Sequence, residues 1–457
     1  GSFNTGLGGG ALQNTTTASN NTAVGYNSLV SNTTGAGNTA IGEGTMLACT
    51  TGASNVAVGL IAGDAITTGD FNVFVGKGAG HGTTTADSNV AVGESSFVLN
   101  TTGANNTAIG ANSLASNTTA SNNTAVGKLA LYANTTGTSN VAVGQASMDA
   151  STTGANNVAV GKDSLTENTT GSSNTAIGRS ALNNATTADE NTAVGYYALL
   201  ANTTGNINVA VGSNALADNT TGASNVAIGR EALHANTTAS SNTAVGKHAM
   251  RANTTASNNT AVGKDALLAN TTGTENVAIG VGALDGNTAA HSNIAIGMDA
   301  IGAANTGANN IGIGAYSLDA NTSGLNNIGV GKYALSGNTT GHSNVAIGTD
   351  SLFVNTTGVE NVAIGFTALD ANTTGSYNTT VGTDSMGANT TGQENVAVGW
   401  NSLDANTTGS YNIAIGASSL GVNTTANQNT AVGHVALSAN TTGVQNVAVG
   451  DYVLDAN

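Results

Sequence analysis

The stretch Asn-Val-Ala-Val-Gly-Trp-Asn-Ser-Leu-Asp-Ala-Asn-Thr-Thr-Gly-Ser-Tyr, residues 395–411, decides the fold because the whole chain repeats it in closely related form. Its opening motif, Asn-[Thr/Val/Ile]-Ala-[Val/Ile]-Gly, recurs every 17 residues from Asn4 to Asn446 without insertion or deletion. The Asn and the Gly are present at all 27 anchors, and five anchors replace a residue between them, as Phe74 replaces Ala. Such strict spacing is typical of repeats that stack on one another, because an extra residue would break the ladder between them. We therefore predict one continuous array over residues 1–457 without an internal domain boundary.

Local patterns within the repeat predict strands and corners. Counting from the anchor Asn as position 1, positions 2 to 4 place β-branched residues on either side of a small one, which is the period of a strand. Helix is disfavoured by the Gly, Asn, Thr and β-branched residues of every window, and the absence of proline suits a ladder. The Gly at position 5 is expected to form a corner with positive φ. The corner glycines include Gly25, Gly42, Gly59, Gly212, Gly314 and Gly450.

These patterns predict an all-β parallel β-solenoid, a β-roll or β-helix of 17-residue coils. We expect positions 2, 4 and 9 to face inward, assisted by 8 or 11, and the Ala at position 3 to face the other way. A rise of about 4.7 Å per coil would give a rod on the order of 125 Å long. So thin a core favours several chains that share one axis.

Asparagine at position 1 is present in every repeat, and identical amides in successive coils can pair as a ladder. We predict a buried ladder at position 1. Position 12 is Asn in most repeats but becomes Thr15, Cys49, Ser151 or Ala304 in others, so we expect a tolerant second corner at Asn-Thr-Thr-Gly, positions 12 to 15. The predicted ladder includes Asn21, Asn38, Asn55, Asn208, Asn310 and Asn446.

The run [Val/Thr]-Ala-[Val/Ile]-Gly, as in residues 56–59 and 277–280, resembles the head repeats of trimeric autotransporter adhesins. The longer pattern that ends in Asn-Thr-Thr-Gly is similar to repeats of phage tail-fibre and bacterial surface proteins. The resemblance covers essentially the whole chain and implies a trimeric β-roll on a cell or virion surface. The period of 17 departs from the adhesin heads, whose repeats are shorter.

Composition argues against several classes of function. Nine basic and 25 acidic residues give a net charge of −16, which opposes binding to nucleic acid or anionic lipid. No stretch is apolar and long enough for membrane insertion. Cys49 is the single cysteine, so it permits neither an internal disulfide nor a cysteine-based metal site. We predict no cofactor and no metal.

The repeat frame also tests for catalytic residues, which should break the pattern or cluster together. The six histidines and most aromatic residues fall at variable positions, and eight of the nine basic residues fall at position 6. Tyr377 and Tyr411 at position 17 could stack on sugars, but a wide outer position that tolerates rings is the simpler interpretation. We predict no catalytic residues and no enzyme.

The expected function is a structural extracellular fibre, a tail-fibre shaft, adhesin stalk or surface filament that acts as a rigid spacer. We expect self-association, as a homotrimer or an end-to-end polymer, and contact with a host surface or glycan. The alternative is binding to ice or a repetitive glycan through paired threonines such as Thr271 and Thr272. Sequons at position 12 would place glycans along one edge in a host with N-glycosylation. Examples are Asn32, Asn134, Asn270 and Asn372.

Overall fold

The computed structural model describes residues 1–455 and shows an all-β parallel β-solenoid of 17-residue coils without helices. Ala456 and Asn457 lie outside the described residues. Within residues 1–455, no helix is long and apolar enough to cross a membrane. The chain divides into two compact units, the first running from Gly1 to Asn225 and the second beginning at Val226.

The first unit contains thirteen strands of three residues, and within the unit consecutive strands pair in parallel. The register is one full repeat, so that Thr22 lies beside Thr39 and Ala23 beside Ala40. The strands are β1 (Thr5–Leu7), β2 (Thr22–Val24), β3 (Thr39–Ile41), β4 (Val56–Val58), β5 (Val73–Val75), β6 (Val90–Val92), β7 (Thr107–Ile109), β8 (Thr124–Val126), β9 (Val141–Val143), β10 (Val158–Val160), β11 (Thr175–Ile177), β12 (Thr192–Val194) and β13 (Val209–Val211).

The second unit contains fourteen strands of the same length and pairing. Val277 of one coil lies beside Ile294 of the next, again one repeat away. The strands are β14 (Val226–Ile228), β15 (Thr243–Val245), β16 (Thr260–Val262), β17 (Val277–Ile279), β18 (Ile294–Ile296), β19 (Ile311–Ile313), β20 (Ile328–Val330), β21 (Val345–Ile347), β22 (Val362–Ile364), β23 (Thr379–Val381), β24 (Val396–Val398), β25 (Ile413–Ile415), β26 (Thr430–Val432) and β27 (Val447–Val449).

Hydrogen bonds between coils continue beyond the short strands. The backbone N–H of Leu29 donates to the carbonyl of Thr45 at 3.1 Å, and that of Thr33 to the carbonyl of Thr50 at 2.9 Å. On the other side of the coil, Gly37 donates to Ser19 at 3.0 Å. Because buried backbone groups need partners, an insertion in any coil would leave several of these bonds unmade. The strict 17-residue period follows from this requirement.

The glycine at position 5 allows successive coils to approach closely at one corner. Gly59 has φ 135°, a conformation that residues with a side chain rarely adopt. A Cβ added there would lie 2.6 Å from the carbonyl oxygen of Gly76 in the next coil. The other predicted corner glycines, such as Gly25 and Gly314, have the same conformation.

The inward and outward sides of the strand are the reverse of the sequence-based expectation. Ala261 at position 3 is fully buried, whereas Val262 at position 4 is 37% exposed. Thr260 at position 2 is also only partly buried. Where leucine or methionine fills position 9, the interior lies so close to the strand that it accommodates only a small side chain, such as Ala261 or Thr380, at position 3. The prediction that positions 2 and 4 form the core is therefore wrong, because it ranked side chains by hydrophobicity without knowing the width of the interior.

Leucine at position 9 supplies most of the apolar volume of the core. Leu29 and Leu267 are fully buried and have φ of 50° and 52°. A left-handed conformation costs a residue with a side chain roughly 1–2 kcal/mol, so it is retained only where the surrounding structure requires it. Here the left-handed backbone turns the leucine side chain into the interior of the coil.

A larger side chain at position 3 and smaller residues at position 9 compensate each other in one part of the core. Phe74 replaces Ala at position 3 and is fully buried, while Gly63 and Gly80 replace Leu at position 9 in its own coil and the preceding one. A Cβ added to Gly80 would lie 2.6 Å from the Phe74 ring, and one added to Gly63 would lie 2.8 Å from it. The ring therefore occupies the space that leucines fill elsewhere.

Candidate functional sites: two asparagine ladders and an outer apolar face

The asparagines at position 1 form a ladder of side-chain amides. Nδ2 of Asn55 donates to Oδ1 of Asn38 at 3.2 Å, and the backbone N–H of Asn55 donates to the same oxygen at 2.9 Å. Nδ2 also donates to the carbonyl of Gly69 at 2.8 Å, which closes the coil on itself. Equivalent amide bonds or backbone bonds hold each predicted ladder residue: Asn21, Asn38, Asn55, Asn208, Asn310 and Asn446.

Position 12 forms a second ladder that the sequence alone did not reveal. Nδ2 of Asn372 donates to Oδ1 of Asn355 at 2.9 Å, and to the carbonyl of Gly375 at 2.9 Å. That same carbonyl accepts a bond from Nδ2 of Asn361, at position 1. The backbone carbonyl at position 15 therefore links the two ladders. Position 12 belongs to the core and is not merely a tolerant corner.

Substitutions at position 12 interrupt this ladder. Where Ser151 follows Asn134, and where Ala185 follows Asn168, Oδ1 of each asparagine has no hydrogen-bond partner among the described residues. The coil that carries Ala304 differs, because Asn305 takes the place of the missing amide. Nδ2 of Asn321 donates to Oδ1 of Asn305 at 3.0 Å, so the ladder resumes after a shift of one residue.

The sequons at position 12 lie inside the coil. Asn32, Asn134, Asn270 and Asn372 are fully buried, and Nδ2 of each, the atom that would carry a glycan, donates hydrogen bonds within the core. A folded coil has no room for a sugar at this atom. The predicted row of glycans on one edge is therefore incompatible with this fold.

The threonine pair of the alternative hypothesis lies at the second corner. Oγ1 of Thr271 at position 13 donates to the carbonyl of Thr288 at 3.0 Å, and Thr373 does the same with Thr390. These hydroxyl hydrogens are therefore engaged between coils. Thr272 and Thr374 at position 14 remain exposed.

In each unit an apolar surface follows the outer side of the strands, and we call it the outer face. It consists of the first and third residues of each strand, positions 2 and 4, for example Val277 and Ile279 in β17. Every strand from β1 to β27 has Thr, Val or Ile at position 2 and Val, Ile or Leu at position 4. Neighbouring outward positions vary freely and include Lys, Asp, Glu and His. Position 14 is also exposed and uncharged in every repeat that contains it, but it carries Thr, Ser or Ala, whereas position 4 carries a larger apolar side chain in every strand. Solvent exposure alone does not explain an apolar column of this kind.

The charged residues lie on other sides of the coil. Glu231 contacts Arg251 Nε at 2.9 Å and Arg230 at 3.0 Å, and His248 lies 3.1 Å from Asp265. Partial burial opposes ionisation of Glu231, but Arg230, Arg251 and His248 outweigh it and lower its pKa. The Glu231–Arg251 ion pair joins two successive coils, and the hydrogen bond between His248 and Asp265 extends the contacts to a third.

Carboxylates also gather at two places in the second unit, each time from three successive coils. Asp370, Asp384 and Asp404 line a shallow depression of about 380 Å³. Partial burial, and in addition the repulsion of nearby carboxylates, raises the pKa of four aspartates in these clusters: Asp285, Asp319, Asp370 and Asp404. Across residues 1–455, no three His, Cys, Asp or Glu side chains are grouped so that they could hold a metal ion.

Cys49 occupies position 12 and is fully buried. Burial raises the pKa of its thiol to about 11, so the reactive thiolate is scarce at neutral pH.

Comparison with models of known protein families and with curated proteins gives no match. The outer face is distinguished from the other exposed columns by the Val, Ile or Leu that every strand carries at position 4.

Proposed function

We propose that this protein is a structural filament of the extracellular space, a cell surface or a virion, in which several copies of the chain associate side by side through the outer face. The observation that carries the proposal is the absence of charged residues from positions 2 and 4 in all strands. A solvated strand surface normally carries polar and charged side chains. A surface buried against another copy of the chain would exclude them.

The size of the outer face supports association. Fourteen strands at a spacing of about 4.7 Å give the second unit a strip on the order of 60 Å long and roughly 7 Å wide between positions 2 and 4. Burial of that strip, on the order of 400 Å², would contribute about 10 kcal/mol before the cost of association. A trimer around one axis would bury this face on each chain, and the rigid hydrogen-bonded coils suit a spacer.

The mass of the protein in solution tests the proposal. Sedimentation equilibrium should give a multiple of the 44.2 kDa chain, with three copies expected. Ile279→Lys places a charge on the outer face and should shift the protein towards single chains. Val281→Lys, two residues away at position 6, is the matched control, since this position already carries Lys264 in the preceding coil. A monomeric wild-type protein would contradict side-by-side association.

Binding to ice or another regular surface is the second candidate, and one observation favours it. Threonine and valine side chains at position 2 form a row with the strand spacing, whereas the hydroxyls of the corner threonines at position 13, such as Thr271, already donate between coils. Thermal hysteresis distinguishes the two functions. A filament that buries the outer face should show none, whereas an ice-binding protein should show it as a single chain.

A further inference from the structure

A second surface, at position 17 of the second unit, has a distinct pattern. The tetrapeptide Gly-Ser-Tyr-Asn occurs at residues 375–378 and again at 409–412, so that Tyr377 and Tyr411 occupy position 17 two coils apart. Glu394 occupies the same position in the coil between them. The column of position 17 thus alternates aromatic rings with hydrogen-bonding side chains. From residue 360 to 428 it contains Glu360, Tyr377, Glu394, Tyr411 and Gln428.

The backbone presents these side chains in a common orientation. Tyr377, Glu394 and Tyr411 have φ of 61°, 56° and 60°. Each backbone N–H donates to a carbonyl at position 16 of the preceding coil, at 3.0, 3.0 and 3.1 Å. Because all three residues are held in the same way, the two tyrosines are separated by two coil spacings, about 9.5 Å.

The side chains of the column are accessible. Tyr377 and Tyr411 are each 51% exposed, and Glu394 is exposed as well. Within residues 1–455, neither ring stacks on another aromatic side chain and Glu394 forms no ion pair. Tyr377, Glu394 and Val396 line an open depression of about 410 Å³.

We propose that this column binds a neutral, extended oligosaccharide. A pyranose ring has an apolar C–H face that packs on an aromatic ring, and hydroxyls at its edge that donate to a carboxylate. Tyr377 and Tyr411 provide two such rings, and Glu394 provides the acceptor between them. Carboxylates in the column and the net charge of −16 disfavour acidic sugars. The straight column favours an extended chain over a helical one.

Calorimetric titration of the full chain with cellohexaose and chitohexaose tests this proposal, with maltohexaose and an oligogalacturonate as helical and acidic comparisons. Binding should be seen with at least one of the two extended neutral sugars and should be weaker by roughly tenfold or more in the Tyr377→Ala/Tyr411→Ala variant. Glu394→Gln should weaken binding less. Tyr26→Ala, which removes an exposed ring in the first unit, is the control and should bind as wild type.

Two outcomes would overturn the proposal. One is that neither extended neutral sugar binds, or that the double tyrosine variant binds as tightly as the wild type. The other is that the double variant changes the mass of the particle in solution, because the rings would then belong to a contact between chains. The proposal does not depend on the filament function, since Ile279→Lys should alter self-association and leave sugar binding unchanged.

Discussion

Restoring an interrupted rung of the position-12 ladder should stabilise the protein locally. Ser151 stands between Asn134 and Asn168, which belong to the preceding and following coils. Its hydroxyl is buried, and neither that hydroxyl nor Oδ1 of Asn134 has a hydrogen-bond partner among the described residues. Ser151→Asn would place an amide in the register that both neighbours already use.

The expected gain can be worked out from the bonds that form in intact stretches. A new amide could donate to Oδ1 of Asn134 and to the carbonyl of Gly154, and could accept a bond from Nδ2 of Asn168. Three bonds at about 1 kcal/mol each, less the greater side-chain entropy lost by asparagine, give about 2 kcal/mol. The turn at Ser151 has the same bond to position 9 as the turn at Asn134, 3.2 Å in each, so the backbone need not change.

Hydrogen exchange followed by mass spectrometry is the suitable assay, because the stability of a repeat protein is distributed along its coils. The amides of Val141 and Val158, on either side of Ser151, should exchange roughly 30-fold more slowly in the variant, as about 2 kcal/mol requires. Asn117→Ser is the matched control, since it breaks an intact rung two coils away and should accelerate exchange there. Unchanged or faster exchange in Ser151→Asn would refute the ladder as a source of stability.

Four further predictions concern the corner, the core and the ionisable groups. Gly76→Ala should destabilise the first unit by roughly 2–6 kcal/mol in thermal unfolding, because its Cβ would lie 2.5 Å from a carbonyl oxygen of the next coil. The control is Gly78→Ala, which has open space around its Cβ and should cost only about 1–2 kcal/mol. Phe74→Ala should lower the free energy of unfolding by about 3–5 kcal/mol, and Gly80→Leu should lower it as well. In a double-mutant cycle, the loss in the double variant should be smaller than the sum of the two single losses by at least about 1 kcal/mol. The four aspartates with raised pKa values hold protons more tightly in the folded state. Their contribution to stability is therefore fullest below the ordinary pKa of 3.8 and is lost as the pH rises through their folded pKa values. Replacing all four with asparagine should make the unfolding temperature of the second unit depend less on pH over that range. The Cys49 thiol should react with a thiol reagent only after unfolding, and rapid modification of the native protein would contradict its burial.

The left-handed backbone at position 9 could not be predicted from the sequence. Glycine and asparagine are the usual residues at positive φ, so Leu29 and its equivalents gave no signal of a left-handed conformation. Positions 7 and 17 did carry a signal, because Asn27 and Asn20 belong to the type that favours positive φ. Asn305 was missed for a different reason: fixed counting assigned Ala304 to position 12, and only the folded coil shows the chain shifting by one residue.

The repeat period, the β-solenoid and the positive φ of the position-5 glycines follow from the sequence by itself, because they depend on spacing and on the absence of a side chain. The inward side of each strand was decided by the tertiary structure. Alternation separates Ala261 from Val262, but both are apolar, so the pattern does not say which faces the core. Where leucine or methionine fills position 9, the space behind the strand accepts only a small side chain, and the larger residues are therefore left outside. The width of the interior is set only when the coil has closed. It places positions 2 and 4, which were expected in the core, on the outer face that the proposed self-association uses.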